Sequence, residues 1–195
     1  MVIKELKKHL ELNTKNIMIR YVIPFSIDKN IGKSYNEAFN GLNDDDYVCF
    51  VDGDTIFLDS AFGAKIQQVI DENPNINAAT CMTNRVNCQW QIYDRINWFN
   101  ENMLDHDRLT KECWHKWDTK VEDVTDNQLM SGVMILLKKS TWDKMGKFNE
   151  NGMLGVDNDF HTSLKECGEK LWLMKGIYIY HKYRFGDTKN KKHLL

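Results

Sequence analysis

Apolar positions along the chain come in short runs separated by helical repeats. Ile3, Leu6 and Leu10 share one helical face and predict a short amphipathic helix over residues 2–12 that ends near Asn13. The run NIMIRYVIPF, residues 16–25, reads as a strand closed by Pro24. In SIDKNIGKSYNEAFNGL, Ile31, Tyr35 and Phe39 repeat every four residues, which predicts a helix after Gly32 that stops at Gly41. The run YVCFV, residues 47–51, completes a strand–helix–strand unit whose two strands are expected to be parallel. Phe62, Ile66, Val69 and Ile70 then mark a helix that ends before Pro74, and NAATCMT reads as a buried strand.

Between residues 86 and 128 this rhythm is lost. That stretch holds four of the six tryptophans (90, 98, 114 and 117) and many charges, shows no clear strand, and is expected to be an inserted helical or loop segment. LMSGVMILLKK resumes as a strand, and STWDKMG follows as a helix with a Ser or Thr cap. Phe160, Leu164 and Cys167 mark the apolar face of a helix ending at Gly168, and KLWLMKGIYIYH is a last strand finishing at His181. Strands alternating with helices give an α/β fold class, with residues 1–195 read as one domain.

Composition narrows the partners more than the fold. Lys and Arg number 26 against 28 Asp and Glu, so a net charge of -2 gives no general attraction to nucleic acid or acidic membranes, and an anionic substrate must be met by local charge. No apolar run reaches the roughly 20 residues that span a bilayer, so no transmembrane segment is expected. The start MVIKELKKHLEL mixes charge with Leu rather than forming an apolar signal core. Five cysteines (49, 81, 88, 113 and 167) without a C-x-x-C suit a reducing compartment, and the expectation is a cytoplasmic protein with core thiols. Cys81, Cys88, Cys113 and His115 match no standard zinc spacing. The tail carries Lys182, Arg184, Lys189, Lys191 and Lys192 against Asp187 and reads as a solvated terminus.

The candidate chemistry begins where YVCFV ends in DGD. Asp52 and Asp54 are too polar for a strand interior and belong at the carboxyl edge of the sheet, where open α/β sheets bind ligands. Two carboxylates split by Gly53 can face one hard cation, with glycine easing the turn. Taken alone, D-x-D also fits an ordinary surface turn. Likewise a histidine ending a strand can simply face water, and Asp157 or Asp159 can simply cap the helix that GVDNDF opens.

The ordered set is more specific than its members. DKNIGKSYNEAF, then DGD after an apolar strand, then about 80 residues later SGVMILLKK and GVDNDF, then a strand ending in His181, resembles the family-two nucleotide-sugar glycosyltransferases of GT-A fold. The likeness runs from about Ile17 to His181 and is closest to compact phage and bacterial versions. It implies a GT-A-like, mostly parallel central sheet flanked by helices, and an inverting, metal-dependent transfer from a nucleoside-diphosphate sugar, expected to be UDP-linked, to a saccharide or other hydroxyl acceptor. By that resemblance Asp54 ligates Mn2+ or Mg2+, Asp52 approaches the ribose or a metal-bound water, His181 is the third protein contact, and Asp157 is the catalytic base. Val156 stands where the family commonly has Glu.

The resemblance also implies donor contacts from Pro24, Phe25, Ser26, Asn30, Gly32, Lys33, Asn36, Gly53 and Arg85. Ser131 and Gly132 would form the small-residue turn beside the donor sugar. Asp159 and the insert would serve the acceptor; Trp90, Trp114 and Trp117 can stack on sugar faces, although packing is the commoner role for such rings. Relatives have two strands before the N-x-G stretch where residues 1–16 stand here, so an abbreviated nucleotide pocket is expected. Two other readings of the same residues are a noncatalytic nucleotide- or glycan-binding module and a D-x-D phosphohydrolase. The latter is disfavoured by Ile56, which stands where those enzymes place Thr or Val.

Overall fold

The computed structural model describes residues 17–93, 95, 96 and 98–183; the helix expected over 2–12 and the basic residues Arg184, Lys189, Lys191 and Lys192 lie outside them. In chain order the elements are β1 (Ile19–Val22), α1 (Ile31–Glu37), β2 (Tyr47–Val51), β3 (Thr55–Ile56), α2 (Phe62–Glu72) and β4 (Ala78–Thr83). A 3-10 turn (Gln89–Gln91), α3 (Met103–Trp117), β5 (Val121–Asp123), β6 (Met134–Lys138), α4 (Lys139–Lys144), α5 (Val156–Glu166) and β7 (Leu171–His181) complete them.

The strands form one open sheet in the order β1-β2-β6-β4-β7-β3, with β5 also paired to β7. β1 and β2 are parallel, as the strand–helix–strand unit requires, and so are β4 and β7. β6 lies antiparallel between β2 and β4, so β1, β2, β4 and β7 all point one way. The short strands β3 and β5 run against β7, at its carboxyl end and its first half respectively.

Helices cover both faces, which is why all five residues of β2 are buried. Val48 and Phe50 of β2 and Ile135 and Leu137 of β6 pack with Tyr35 and Phe39 beside α1, Trp142 of α4 and Phe160 and Leu164 of α5. The alternate residues Tyr47, Cys49, Val51, Met134 and Leu136 face Ile66, Val69 and Ile70 of α2 on the other side. Cys81 and Cys88 belong to that second core, and Cys113 to a smaller cluster with Tyr93, Leu109 and Tyr178. Burial raises the thiol pKa at all three positions and keeps them protonated packing groups.

Segment 86–128 is helical over α3, one of the two forms expected for it, while its lack of a strand and the cap of α4 are corrected. α3 carries buried His106, Leu109, Thr110 and Cys113 at helical spacing, and β5 joins the sheet. The helix of STWDKMG begins at Lys139 without a side-chain cap. Its first amides instead donate to backbone carbonyls, Lys139 N to Asp46 O at 2.8 Å and Ser140 N to Asp44 O at 3.2 Å, so no Ser or Thr cap is required.

Candidate active site

The four co-directional strands deliver their carboxyl ends to one edge of the sheet, and a cleft of about 470 Å³ opens there. Pro24 follows β1, Asp52, Gly53 and Asp54 follow β2, Val86 and Asn87 follow β4, and His181 ends β7. Because β6 runs the other way, it contributes its entry, Ser131–Val133, and Gly155, Val156 and Asp157 at the start of α5 pack beside that entry. Tyr35, Ile31, Met153, Leu154 and Tyr183 complete the lining.

The D-x-D turn is held from three directions. Asp52 N donates to Val133 O at 3.1 Å, which ties the turn to β6. Thr55 folds back on it, donating to Asp52 O from its amide at 3.2 Å and from its hydroxyl at 2.6 Å. β3 then pairs with β7, placing Thr55 opposite His181, and Lys182 N donates to Asp54 O at 2.9 Å. The turn therefore brings Asp54 directly onto His181. Gly53 does this without a left-handed backbone, and an added Cβ would meet only Ile23 at 3.5 Å. Its missing side chain leaves the cleft floor bare; it is not needed to make the turn.

Asp52, Asp54 and His181 each offer a ligand atom, and these atoms lie within 4.8 Å of one another. The imidazole supplies the sharper argument. Its Nδ1 is 2.7 Å from the carbonyl oxygen of Arg85, which can only accept, so Nδ1 carries the proton in the neutral ring. Nε2 then points a lone pair at Asp54 Oδ1, 3.2 Å away. Two acceptors face each other unless a proton or a cation lies between them. A carbonyl fixing the tautomer while the other nitrogen faces carboxylates is the arrangement a metal-bound histidine adopts. Two oxygens and one imidazole nitrogen suit Mn2+ or another borderline divalent ion, with positions open for further oxygen ligands.

Burial pushes the Asp52 carboxyl up to about 7, opposed by His181 and reinforced by Asp54 and Asp157. Asp157 is also raised, again chiefly by burial, although the amides of Gly132 and Asn158 stabilise its anion. Among the described residues no Lys or Arg lines the cleft.

Asp157 is not the N-cap residue of α5, although it satisfies one of that helix's first-turn amides. The N-cap of α5 is Gly155, at a φ of +83°, and it makes no side-chain capping bond. Asp157 instead accepts from Gly132 N through Oδ2 at 2.9 Å and from Asn158 N through Oδ1 at 3.0 Å. Gly132 is needed for this approach, because an added Cβ would come within 3.0 Å of the Asp157 Cβ.

Several residues expected in the site lie elsewhere. Arg85 is buried, and its guanidinium donates to the carbonyls of Trp98, Asn100 and Lys182 and pairs with Glu101, so it organises the rim and does not line the cleft. Asn30 caps α1 by accepting from Lys33 N, and Ser26 accepts from Asn30 N while donating to Asp28. Asn36 brackets the turn after α4, accepting from Trp142 Nε1 and Phe148 N and donating to Phe148 O and Glu150. A side chain at Gly32 would overlap the carbonyl of Asn149. Lys33 and Phe25, the latter 76% exposed, also do not line the cleft. The N-x-G stretch thus contributes Ile31 and Tyr35 to the lining, while its polar residues hold α1 in place.

On the acceptor side, Asp159 accepts from Asn149 Nδ2 and Trp90 donates to Gln128 O, and neither lines the cleft. Trp117 lies under Lys116, Lys120 and Lys175, whose ammonium groups are 4.7, 5.9 and 4.3 Å from its ring centre. The tryptophan that approaches the cleft is Trp98, edge-on to Tyr183, which is edge-on to His181. Trp98 is one of the four rings of the insert, and nothing in its sequence context distinguishes it.

No protein-family model matches the chain, and no curated protein matches it in sequence. Among the described residues no helix is long and apolar enough to cross a membrane.

Proposed function

We propose that the chain is a metal-dependent glycosyltransferase of GT-A type, resembling family two, that moves a sugar from a nucleoside-diphosphate donor to a hydroxyl acceptor with inversion. The observation that carries this reading is the content of the cleft: a D-x-D and histidine cluster and a further carboxylate, Asp157, seated on the neighbouring Gly132 amide. A donor diphosphate has no Lys or Arg to meet it among the described lining residues, so the cation held by Asp52, Asp54 and His181 is the charge that admits it. That cation would also stabilise the leaving diphosphate.

The remaining chemistry falls to the chain. Asp157 accepts the proton of the acceptor hydroxyl as that oxygen bonds to the anomeric carbon. The bond from that carbon to the diphosphate oxygen breaks, and its electron pair leaves with the nucleotide. Burial raises the pKa of Asp157 and so makes it a stronger base than an exposed carboxylate, and Ser131 and Gly132 line the cleft beside it.

A panel of nucleoside-diphosphate sugars, UDP-linked donors first, tests the proposal by measuring released nucleotide with a hydroxyl acceptor, with Mn2+ and with EDTA. Acceptor-stimulated release that EDTA abolishes is the expected result. Phosphate release from a simple phosphomonoester with no sugar transfer would replace the transferase by a D-x-D hydrolase. Binding of donor without turnover of any would leave a noncatalytic module.

A further inference from the structure

The turn between β5 and β6 shows an unusual economy. Three consecutive backbone amides, of Met130, Ser131 and Gly132, each donate to a different side chain. Met130 N donates to His161 Nδ1 at 3.1 Å, Ser131 N to Gln91 Oε1 at 2.7 Å, and Gly132 N to Asp157 Oδ2 at 2.9 Å. Strand pairing uses none of these donors, because β6 begins only at Met134.

Gln91 and His161 are themselves fully engaged. Gln91 is wholly buried; its Nε2 donates to Ser131 O and to Thr80 Oγ1, both at 3.0 Å. Thr80 in turn donates to Met134 O at 2.8 Å, so the amide is anchored to two strands. His161 is 1% exposed, and since Nδ1 accepts an amide proton its own proton sits on Nε2, which donates to Thr125 O at 3.0 Å. Burial lowers the His161 pKa and so favours the neutral form this pattern needs. His161 follows Asp157 by one turn of α5, so both grip the 130–132 turn from one helix face. Gln91 holds it from the other side.

We propose that Gln91 and His161 are positioning residues that lock the Met130–Gly132 turn and, through the Gly132 amide, set the carboxylate of Asp157 in the cleft. The role rests on the transferase reading above for its catalytic meaning, though not for its geometry. With all three amides engaged, the turn offers no N–H to a donor oxygen; it acts only as a rigid seat for the base and a floor beside the sugar.

Two substitutions at one site separate the clamp from simple packing. Asn at 161 keeps an acceptor where Nδ1 stands but loses the Nε2 donor. Gln keeps a donor where Nε2 stands but loses the acceptor for Met130 N. Kinetics with a nucleoside-diphosphate sugar and Mn2+, together with amide hydrogen exchange at residues 130–132, read the two variants. His161→Gln is expected to lower kcat by about 10- to 100-fold with KM for the donor unchanged, the loss typical of a displaced reacting group. Its Met130 amide is expected to exchange faster than in the parent. His161→Asn is expected to recover most of kcat and most of the protection.

Equal kcat for the two variants, or a loss confined to KM, overturns the proposal. If the parent transfers no sugar, the transferase reading fails separately and exchange alone decides. Equal protection of the three amides in both variants then rejects the clamp. Should His161→Gln not fold, Gln91→Met, of similar length and unable to accept from Ser131, carries the same test. Unchanged kcat and unchanged Ser131 exchange there reject it.

Discussion

Three carboxylates, Asp52, Asp54 and Asp157, line a cleft without a described Lys or Arg, and burial more than their mutual repulsion raises two of them at a cost to the free protein. Asp52 and Asp157 both have raised folded-state pKa values, Asp52 to about 7, so folding favours their protonated forms. The unfolded chain binds fewer protons at these sites between the ordinary carboxylate range and about pH 7. Their contribution is therefore fully present at low pH and lost as pH rises through the folded values. Buried His106 and His161, whose pKa values are lowered, contribute the opposite slope, so the difference between variants is the test: in EDTA the thermal midpoint of Asp52→Asn relative to the parent should rise between about pH 5 and about pH 8. A difference that stays constant across the window would contradict the raised value of Asp52. The residues also divide by role. Asp54→Ala should remove Mn2+-dependent donor binding together with turnover. Asp157→Asn should spare donor binding and cost about 10²- to 10⁴-fold in rate, the usual loss of a general base. Parental turnover by Asp157→Asn in a folded protein would move the base elsewhere.

At the scale of elements, the wall behind the cleft depends on α1 seating against the turn after α4. Gly32 lies against the backbone of Asn149, which cannot withdraw as a flexible side chain could. Gly32→Ala should destabilise the fold by about 1–3 kcal/mol, as overpacking does, readable as a lower urea midpoint. A neutral substitution would show that the turn moves freely. Trp90→Ala and Trp117→Ala, in protein that stays folded, should leave acceptor kinetics unchanged, since neither ring lines the cleft; a rise in acceptor KM for either would return it to the site. These elements also show what was legible beforehand. The run YVCFV and the repeat of Ile66, Val69 and Ile70 placed β2 and α2 because periodicity of large apolar residues is a local signal. For α3 the sequence left helix and loop both open, because two of its four buried positions are His106 and Thr110. β5 is three residues long and too short for any pattern. At the site, Asp52, Asp54 and His181 could be read from strand ends. Gln91 and Arg85 owe their roles to contacts far away in sequence, which no local pattern carries. The four-residue spacing of Asp157 and His161 was the one available clue to the clamp.

At the scale of the whole molecule, topology explains why these residues meet. β2 and β7 are far apart in sequence and separated by β6 and β4 in the sheet, yet they point the same way, and the two-residue β3 carries the D-x-D turn across to pair with the end of β7. Reversal of β6 places its entry, and with it the seat of Asp157, at that same edge. The cleft thus brings the Asp52, Asp54 and His181 cluster and the carboxylate of Asp157 to one edge of the sheet. The account's central claim is that a cation held by that cluster is what admits a nucleoside diphosphate. Calorimetric titration of UDP tests it most directly, in Mn2+ and in EDTA, on the parent and on Asp54→Ala. The account predicts binding by the parent in Mn2+ that EDTA or the substitution weakens at least about tenfold, a change of about 1.4 kcal/mol. Equal UDP affinity with Mn2+ and with EDTA would contradict it.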